Sequence, residues 1–538
     1  MNDMLKKVYT LRRQVLLALL SGLLLVLAFP KIDLGWVAYV ALIPLLAAIR
    51  QSDAKCGFWL GYTCGMAQHL GLIYWTAYTM KFYGHLPMAL SLVVLLLFCA
   101  YLSIYTGLFG AAVAFFRPAP YLLLILGPLA WVLLEMAKTW LFTGFPWALL
   151  GYSLYDHLWV IQIADLFGVY GISGLVVMVN VMLTLVVLHW LDQDCFGYSI
   201  NRPTLKIGGA AVLAVFLSTL FYGVIRMHVV DGHMAAAPRK TAAAVQGNID
   251  QAQKWDPRFQ MLTTVKYRKL SLDMAAGKAD LIIWPETATP FYLLEDPILT
   301  EMVMEGIRQS GAHFIIGSPS YASGKEQMIF HNSAYLITPE GRPAGKYDKV
   351  HLVPFGEYVP LKRWLPFIKK MVAQVGDFKP GKKGSTLAWD RHQVGLLICY
   401  EIIFPGLSRS MVDNGAHLLV NITNDAWFGR TSAAYQHFSM AVLRAIENRR
   451  MVARAANTGI SGFIDPCGRI THATELFKEA VVIAPVALLQ TKTKYTRWGD
   501  WPLGLAAVGL LAAAWAHRFA VRRKHPGSGN GRYPEDML

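Results

Sequence analysis

The chain has 538 residues, of which 55% are hydrophobic and only 16% charged, and its formal net charge is +16. Soluble domains carry roughly 25% charged residues, so a fold built wholly in water is excluded. The basic residues flank apolar runs and form no single patch, which argues against nucleic acid as a partner and for attraction to anionic lipid headgroups.

In chain order, charge-free runs occupy Gln14–Pro30, Leu34–Ile49, Cys56–Met80, Leu86–Phe116, Pro118–Leu134, Leu166–Leu188, Ile207–Ile225 and Trp501–Ala516. A helical span needs about 20 apolar residues, so these runs predict a multi-span α-helical membrane domain of about eight helices. No small-residue cleavage site follows the first run, and a retained anchor is expected. Lys6, Lys7, Arg12 and Arg13 precede the first run, and Arg50 and Lys55 follow the second. Arg117, Arg202, Lys206 and the group Arg518, Arg522, Arg523 and Lys524 then fall on the same side. Positive charge marks the cytoplasmic face, so the stretch from about Arg226 to Arg497 should face outward. At the end of the fifth run, Glu135 and Lys138 have the spacing of an i, i+3 ion pair on a helix.

The outward stretch changes character. TAAAVQGNI, ADLIIWPE, HFIIGSP, NSAYLITP, VGLLICYE and AHLLVNITND read as strands, mostly bounded by Gly, Pro, Asn or Asp. Pro257–Ala276, Pro297–Ser310 and Ser432–Arg450 read as helices, the second with Asp296 as cap and Gly311 as stop. Thr338-Pro339-Glu340-Gly341 is a hairpin turn signal. Strands alternating with helices imply an α/β domain. The division expected is residues 1–228 for an N-terminal transmembrane domain of about seven helices, 229–495 for the outward domain, and 496–538 for a last helix and a basic tail.

Three side chains in the outward stretch suit covalent acyl chemistry: Cys399 at the end of an apolar strand, Glu286 after Trp-Pro, and Lys349 in YDKVHLVPFGE. A thiol needs a neighbour to take its proton, a carboxylate at an apolar strand end suits proton transfer, and an ammonium stabilises a tetrahedral oxyanion. Glu357 and Glu401 are candidates for holding Lys349 or the thiol in place, with Tyr400 between nucleophile and acid. The six cysteines show no CxxC or Cys/His ligand spacing, so no metal and no cofactor are expected. A disulfide between Cys399 and Cys467 is the competing reading for the thiol.

WPE, K-x-x-LVPFGE, CYE, NITNDAWFG and ENRRMVARAANTGISGFIDPCG together resemble the nitrilase, or carbon–nitrogen hydrolase, superfamily. YxKxxLVPFGEYVP with apolar spans on both sides is similar to its membrane-bound branch, the bacterial apolipoprotein N-acyltransferases, and the likeness extends to TGFPW and KWDP. The resemblance implies an α-β-β-α sandwich with a Glu-Lys-Cys site at Glu286, Lys349 and Cys399. It also implies substrate contacts for Trp255, Trp147 and Trp427. The implied reaction moves an acyl group from a phospholipid, phosphatidylethanolamine preferred, through a thioacyl-cysteine to the N-terminal S-diacylglyceryl-cysteine of an apolipoprotein. The expected setting is the bacterial inner membrane, multi-pass and monomeric, with the catalytic domain in the periplasm. Lys138 stands where an arginine is expected before TGFPW. Leu361–Gly376, amphipathic, and Trp427–Arg430 are candidate lids. A membrane-tethered amidase and a non-catalytic scaffold or transporter are the alternatives.

Overall fold

The computed structural model describes residues 2–251, 254, 256–323, 328–359 and 378–524. The chain divides into two compact units, one formed by Met1–Tyr74, Leu92–Val224 and Asp500–Leu538, the other by Trp75–Ser91 and Ile225–Gly499. Trp75–Ser91 is the departure from expectation, because it lies in the sequence among the apolar runs.

Among the described residues, five helices are long and apolar enough to cross a membrane: Tyr9–Leu27, Met88–Phe116, Pro120–Thr143, Ala164–Trp190 and Arg202–Ala236. Gly35–Ile49 and Trp501–Ala516 are shorter apolar helical stretches. Two expected spans are broken. Residues 34–49 split into a 3-10 turn, Gly35–Tyr39, and a short helix, Ile43–Ile49, with proline in its first turn. Asn180 serves the polar backbone exposed by that break, accepting from the Leu42 amide at 2.8 Å and donating to the Ala38 carbonyl at 2.8 Å. The run Cys56–Met80 breaks after the helix Ala54–Ile73, and a second helix covers Trp75–Phe82. Ala54–Ile73 starts at Asp53, whose carboxylate accepts from the Cys56 amide at 2.7 Å. Its face of Gly57, Gly61 and Gly65 lets backbones touch: a Cβ at Gly57 would strike the Gly110 carbonyl, and one at Gly61 the Thr106 carbonyl. Close approach over small residues is a usual way for helices to pack in lipid.

Glu135 and Lys138 do not form the expected ion pair. Both are buried within a helix that continues to Trp140. Glu135 accepts from Trp131 Nε1 at 3.0 Å and from the Leu150 amide at 2.6 Å, and Lys138 donates to the Trp147 carbonyl at 3.1 Å. Both charges serve the irregular segment that follows the helix, whose backbone groups need partners in an apolar setting.

The second unit holds two six-stranded sheets. The first has the order β12 (Ala480–Ala487), β1 (Arg239–Gln246), β2 (Leu281–Ile283), β3 (His313–Ser323), β4 (Met328–Ile337), β5 (Pro343–Asp348). The second runs β11 (Ile470–Ala473), β10 (Gly462–Ile464), β9 (Met451–Ala456), β8 (Leu418–Thr423), β7 (His392–Ile398), β6 (Thr386–Trp389). The centre of each sheet is parallel: β1–β2–β3 in the first, β7–β8–β9 in the second. β1 also packs against β9, so the sheets lie face to face. Helices Pro257–Leu270 and Pro297–Ser310 cover the first sheet through Tyr267, Leu270, Leu299, Val303 and Ile307. Pro405–Asp413 and Ala433–Asn448 cover the second. The unit is therefore an α-β-β-α sandwich, as expected. Its central strands, buried on both faces, have the continuous apolar runs that parallel sheets require.

Candidate active site

Parallel strands place their carboxyl ends together, and the loops leaving those ends are where open α/β sheets build sites. The β7–β8 register pairs Ile398 with Ile422, so Cys399 and Thr423 emerge side by side. Cys399 adopts a left-handed backbone (φ 54°), as does Thr287 next to Glu286 (φ 51°). Such φ values are uncommon for non-glycine residues and mark sharp turns at functional positions. At the Glu286 turn, β3 comes so close that a Cβ on Gly317 would strike the Pro285 carbonyl and the Glu286 backbone.

Glu286, Lys349 and Glu357 form one buried cluster. Lys349 Nζ lies 2.8 Å from Glu357 Oε1 and 3.5 Å from Glu286 Oε1, and Lys349 is 1% exposed. Asn332 Nδ2 bridges the two carboxylates at 2.8 Å each, and the Asn332 carbonyl accepts from the Lys349 amide at 2.8 Å. Glu286 Oε2 accepts from the Asn424 amide at 3.0 Å, and Glu357 Oε2 from the Val353 amide at 2.8 Å. Burial works against the Lys349 charge, yet Glu357 and Glu286 outweigh it and hold its pKa above the ordinary lysine value. Burial pushes the Cys399 thiol well above its usual range, Glu286 adds to the rise, and Lys349 opposes it. At neutral pH the resting sulfur is a thiol that must lose its proton to a neighbour before it can attack. Cys399 and Cys467 are both free thiols, so the disulfide reading is excluded.

Glu401 is fully buried and saturated. It accepts from the Val350 amide at 2.6 Å, the His351 amide at 3.0 Å, the Ile398 amide at 2.7 Å and the Tyr347 hydroxyl at 3.1 Å. Those donors lie on β5, on the Lys349 loop that follows it and on the strand that ends at Cys399, so one carboxylate ties nucleophile and ammonium to the same frame. Burial raises its pKa to about 7, against the pull of the three backbone amides and Lys349. Glu401→Gln turns an NH2 group against donors; the variant should lose about 2–3 kcal/mol of stability, the scale of lost hydrogen bonds to a charged acceptor. Activity should fall with it. Thermal unfolding in detergent beside a rate assay checks both. Tyr400 instead joins an aromatic cluster with His351 and Phe404.

Several residues at the site carried no assigned role in the sequence. Asp425, buried after β8, accepts from Thr423 Oγ1 at 2.9 Å and pairs with Arg454 Nη2 at 2.8 Å. His437 contacts the same carboxylate at 3.1 Å, and its Nε2 lies 3.2 Å from the Cys399 carbonyl. Arg454 also donates to Asn421 Oδ1, and Asn421 Nδ2 donates to the Leu397 carbonyl at 2.9 Å. This network fixes the strained peptide at Cys399 from beneath. One signal was legible: Arg454 interrupts the apolar strand MVARAA, and a buried charge demands a partner. Asn332 similarly sits in a strand that is otherwise apolar toward its end. Lys254, 2% exposed, donates to the Glu286 carbonyl at 3.0 Å.

Of the three tryptophans, Trp427 is 37% exposed; Thr79 Oγ1 donates to its carbonyl at 2.9 Å, and its ring meets Tyr83 edge-on. Tyr83 also donates to the Ala426 carbonyl at 2.8 Å, so Trp75–Phe82 and the residue after it fasten the start of the candidate lid Trp427–Arg430. Trp147 belongs to the helical unit, where it is buried and stacks on Phe145. Trp255 and the candidate lid Leu361–Gly376 lie outside the described residues. No group of three or more His, Cys, Asp or Glu suited to a metal occurs among the described residues.

With this geometry in hand, comparison with known proteins is decisive. A family model for the apolipoprotein N-acyltransferase N-terminal domain matches residues 21–182, and the carbon-nitrogen hydrolase model matches residues 241–494. An apolipoprotein N-acyltransferase of Geobacter metallireducens is 43% identical over 93% of this chain and 95% of the relative. The chain belongs to the apolipoprotein N-acyltransferase family. A second relative of that name, from Methylococcus capsulatus, is 34% identical over 97% of this chain and 99% of its own length. Among solved structures, an amidase of the nitrilase superfamily from Nesterenkonia covers 48% of this chain and 95% of its own, at 20% identity and a TM-score of 0.36. Family membership and the five apolar helices make this an integral membrane protein with an acyltransferase domain of the carbon-nitrogen hydrolase type.

Proposed function

We propose that this protein transfers a fatty acyl group from a phospholipid, phosphatidylethanolamine foremost, to the α-amine of an apolipoprotein's N-terminal S-diacylglyceryl-cysteine. The setting is the bacterial inner membrane, with the catalytic unit in the periplasm and the protein acting as a monomer. In the first step Glu286 takes the Cys399 proton as the sulfur attacks the ester carbonyl. Lys349 stabilises the oxyanion, and Glu286 returns the proton to the departing lysophospholipid alkoxide. In the second step the acceptor amine attacks the thioester, Glu286 accepts its proton, and the sulfur leaves and is reprotonated. The α-amine has an ordinary pKa near 7.7–8.0, so part of it is neutral at working pH and the base has little to do.

The observation that carries this reading is a thiol on a strained strand end, electrostatically coupled to a buried carboxylate and a buried ammonium that touch each other. The test is intact-mass and peptide mass spectrometry of protein incubated with phosphatidylethanolamine and no acceptor. A fatty acyl adduct on the Cys399 peptide, discharged by a diacylglyceryl-cysteine peptide, is expected. An unmodified Cys399, or full acyl transfer by Cys399→Ala, would overturn the reading.

A further inference from the structure

The cluster contains a second ammonium that the two-step scheme leaves unused. Lys254 is buried, and among the described residues its Nζ has one hydrogen-bond partner, the Glu286 carbonyl at 3.0 Å. An ammonium carries three N–H donors, so two remain to be spent in a place where water is scarce. Lys349 is placed differently, held between Glu357 and Glu286. Lys254 therefore has two donors available where Lys349 has one.

Charge bookkeeping gives those donors a purpose. Apart from Glu401, whose charge is held by backbone amides, Lys349 and Lys254 balance Glu286 and Glu357 in the resting site, while Cys399 is neutral. Moving the thiol proton to Glu286 shifts one negative charge from carboxylate to sulfur and keeps the sum at zero. Attack on an ester then moves that charge from sulfur to the carbonyl oxygen, again with no net change. Without Lys254 every one of these states carries an uncompensated buried negative charge, which is costly.

We infer that Lys254 is a further catalytic residue of this site, a second cation that stabilises negative charge on the Cys399 sulfur and on the substrate oxygen during acyl transfer. The inference rests on the proposed Cys399 chemistry. The groups that act on this region come from several elements: Glu286 after β2, Lys349 and Glu357 after β5, Cys399 after β7, and Asp425 after β8. Arg454 on β9 and His437 are engaged with Asp425. Burial lowers the Lys254 pKa to about 8, with Glu286 and then Cys399 acting to keep its proton on. The useful, charged form is thus lost as pH rises through that value.

The experiment is single-turnover acylation of Cys399 in the full-length protein in detergent, supplied with phosphatidylethanolamine and followed by mass from pH 6 to 10. The wild-type rate should fall above about pH 8. Lys254→Arg, which keeps its charge throughout, should remain flat to pH 10. Lys254→Gln should acylate about 100-fold more slowly at pH 7, the scale of one lost oxyanion donor. At pH 7, where Lys254 is charged, the variant's thiol should react with iodoacetamide about tenfold more slowly than the wild-type thiol, the scale of one nearby charge. A wild-type alkaline limb that Lys254→Arg reproduces unchanged overturns the inference, even where Lys254→Gln is too unstable to assay. So does a folded Lys254→Gln with wild-type acylation and alkylation rates. Absence of any acyl adduct in the wild type is a different outcome, and it removes the proposed Cys399 chemistry itself.

Discussion

The Glu286→Gln protein is expected to fold, bind phospholipid and form thioacyl-Cys399 at least about a thousandfold more slowly than the wild type, within the range that one general base supplies. The amide keeps the shape of the carboxylate and retains an oxygen for the Asn424 amide or for Lys349. Lys349 keeps its closer partner, Glu357 Oε1 at 2.8 Å. The new NH2 group must face either the Asn424 amide or Asn332 and Lys349, so a stability loss of about 1.5–3 kcal/mol is expected, while the acceptor for the thiol proton disappears. The thiol is held protonated by burial, so it needs that acceptor to react at neutral pH. Glu286, not Glu357, is the carboxylate that acts most strongly on the Cys399 thiol. Quenched-flow acylation with a fluorescent phosphatidylethanolamine, alongside thermal unfolding, separates the two effects. Near-normal acylation by Glu286→Gln would remove Glu286 from the chemistry and leave the cluster as a structural ion network.

What could be read from the residues alone followed how local each signal was. Helix Pro297–Ser310 has its ends exactly where Asp296 and Gly311 put them: the carboxylate caps the Ile298 and Leu299 amides, and Gly311 turns at φ 68°. The six apolar runs read as strands became β1, β2, β3, β4, β7 and β8, because a strand buried on both faces must be continuously apolar. Strands β5 and β6 at the sheet edges and the short β10 and β11 carry weaker apolar signals and were not anticipated. β9 was hidden by Arg454, a charge in its middle that only the tertiary partners Asp425 and Asn421 make tolerable. The break at Tyr74 was invisible because the residues on both sides are equally apolar. In the site, Glu286, Lys349 and Cys399 are legible as chemistry-bearing residues at strand ends, and Glu357 as a carboxylate in the Lys349 loop. Lys254, Asn332 and His437 are not, since their meaning lies in side chains distant in the chain. Glu401 was legible as a site residue, but its saturation by donors around Lys349 and Cys399 required the fold.

Asp425→Asn is expected to produce the largest loss of stability, roughly 3–5 kcal/mol, the scale for breaking a buried ion pair and stranding its partner. Arg454 would remain fully buried with the charge that compensated it gone. Burial disfavours the Asp425 charge, but Arg454 and His437 outweigh it and hold the carboxyl well below the usual range. An unfolded Asp titrates near 3.9. A group whose folded pKa is depressed contributes stability that is present above the unfolded value and lost as pH falls through the folded value. The wild type should therefore lose this contribution progressively below about pH 4, and Asp425→Asn should show a shallower acid dependence there. Activity should fall as well, because the same network reaches the Cys399 carbonyl through His437 and Asn421. Unfolding midpoints in detergent from pH 3 to 8 for both proteins provide the measurement. Parallel curves with equal midpoints would mean that Asp425 contributes nothing to holding the strand end, and that the strained Cys399 backbone is supported by sheet packing alone.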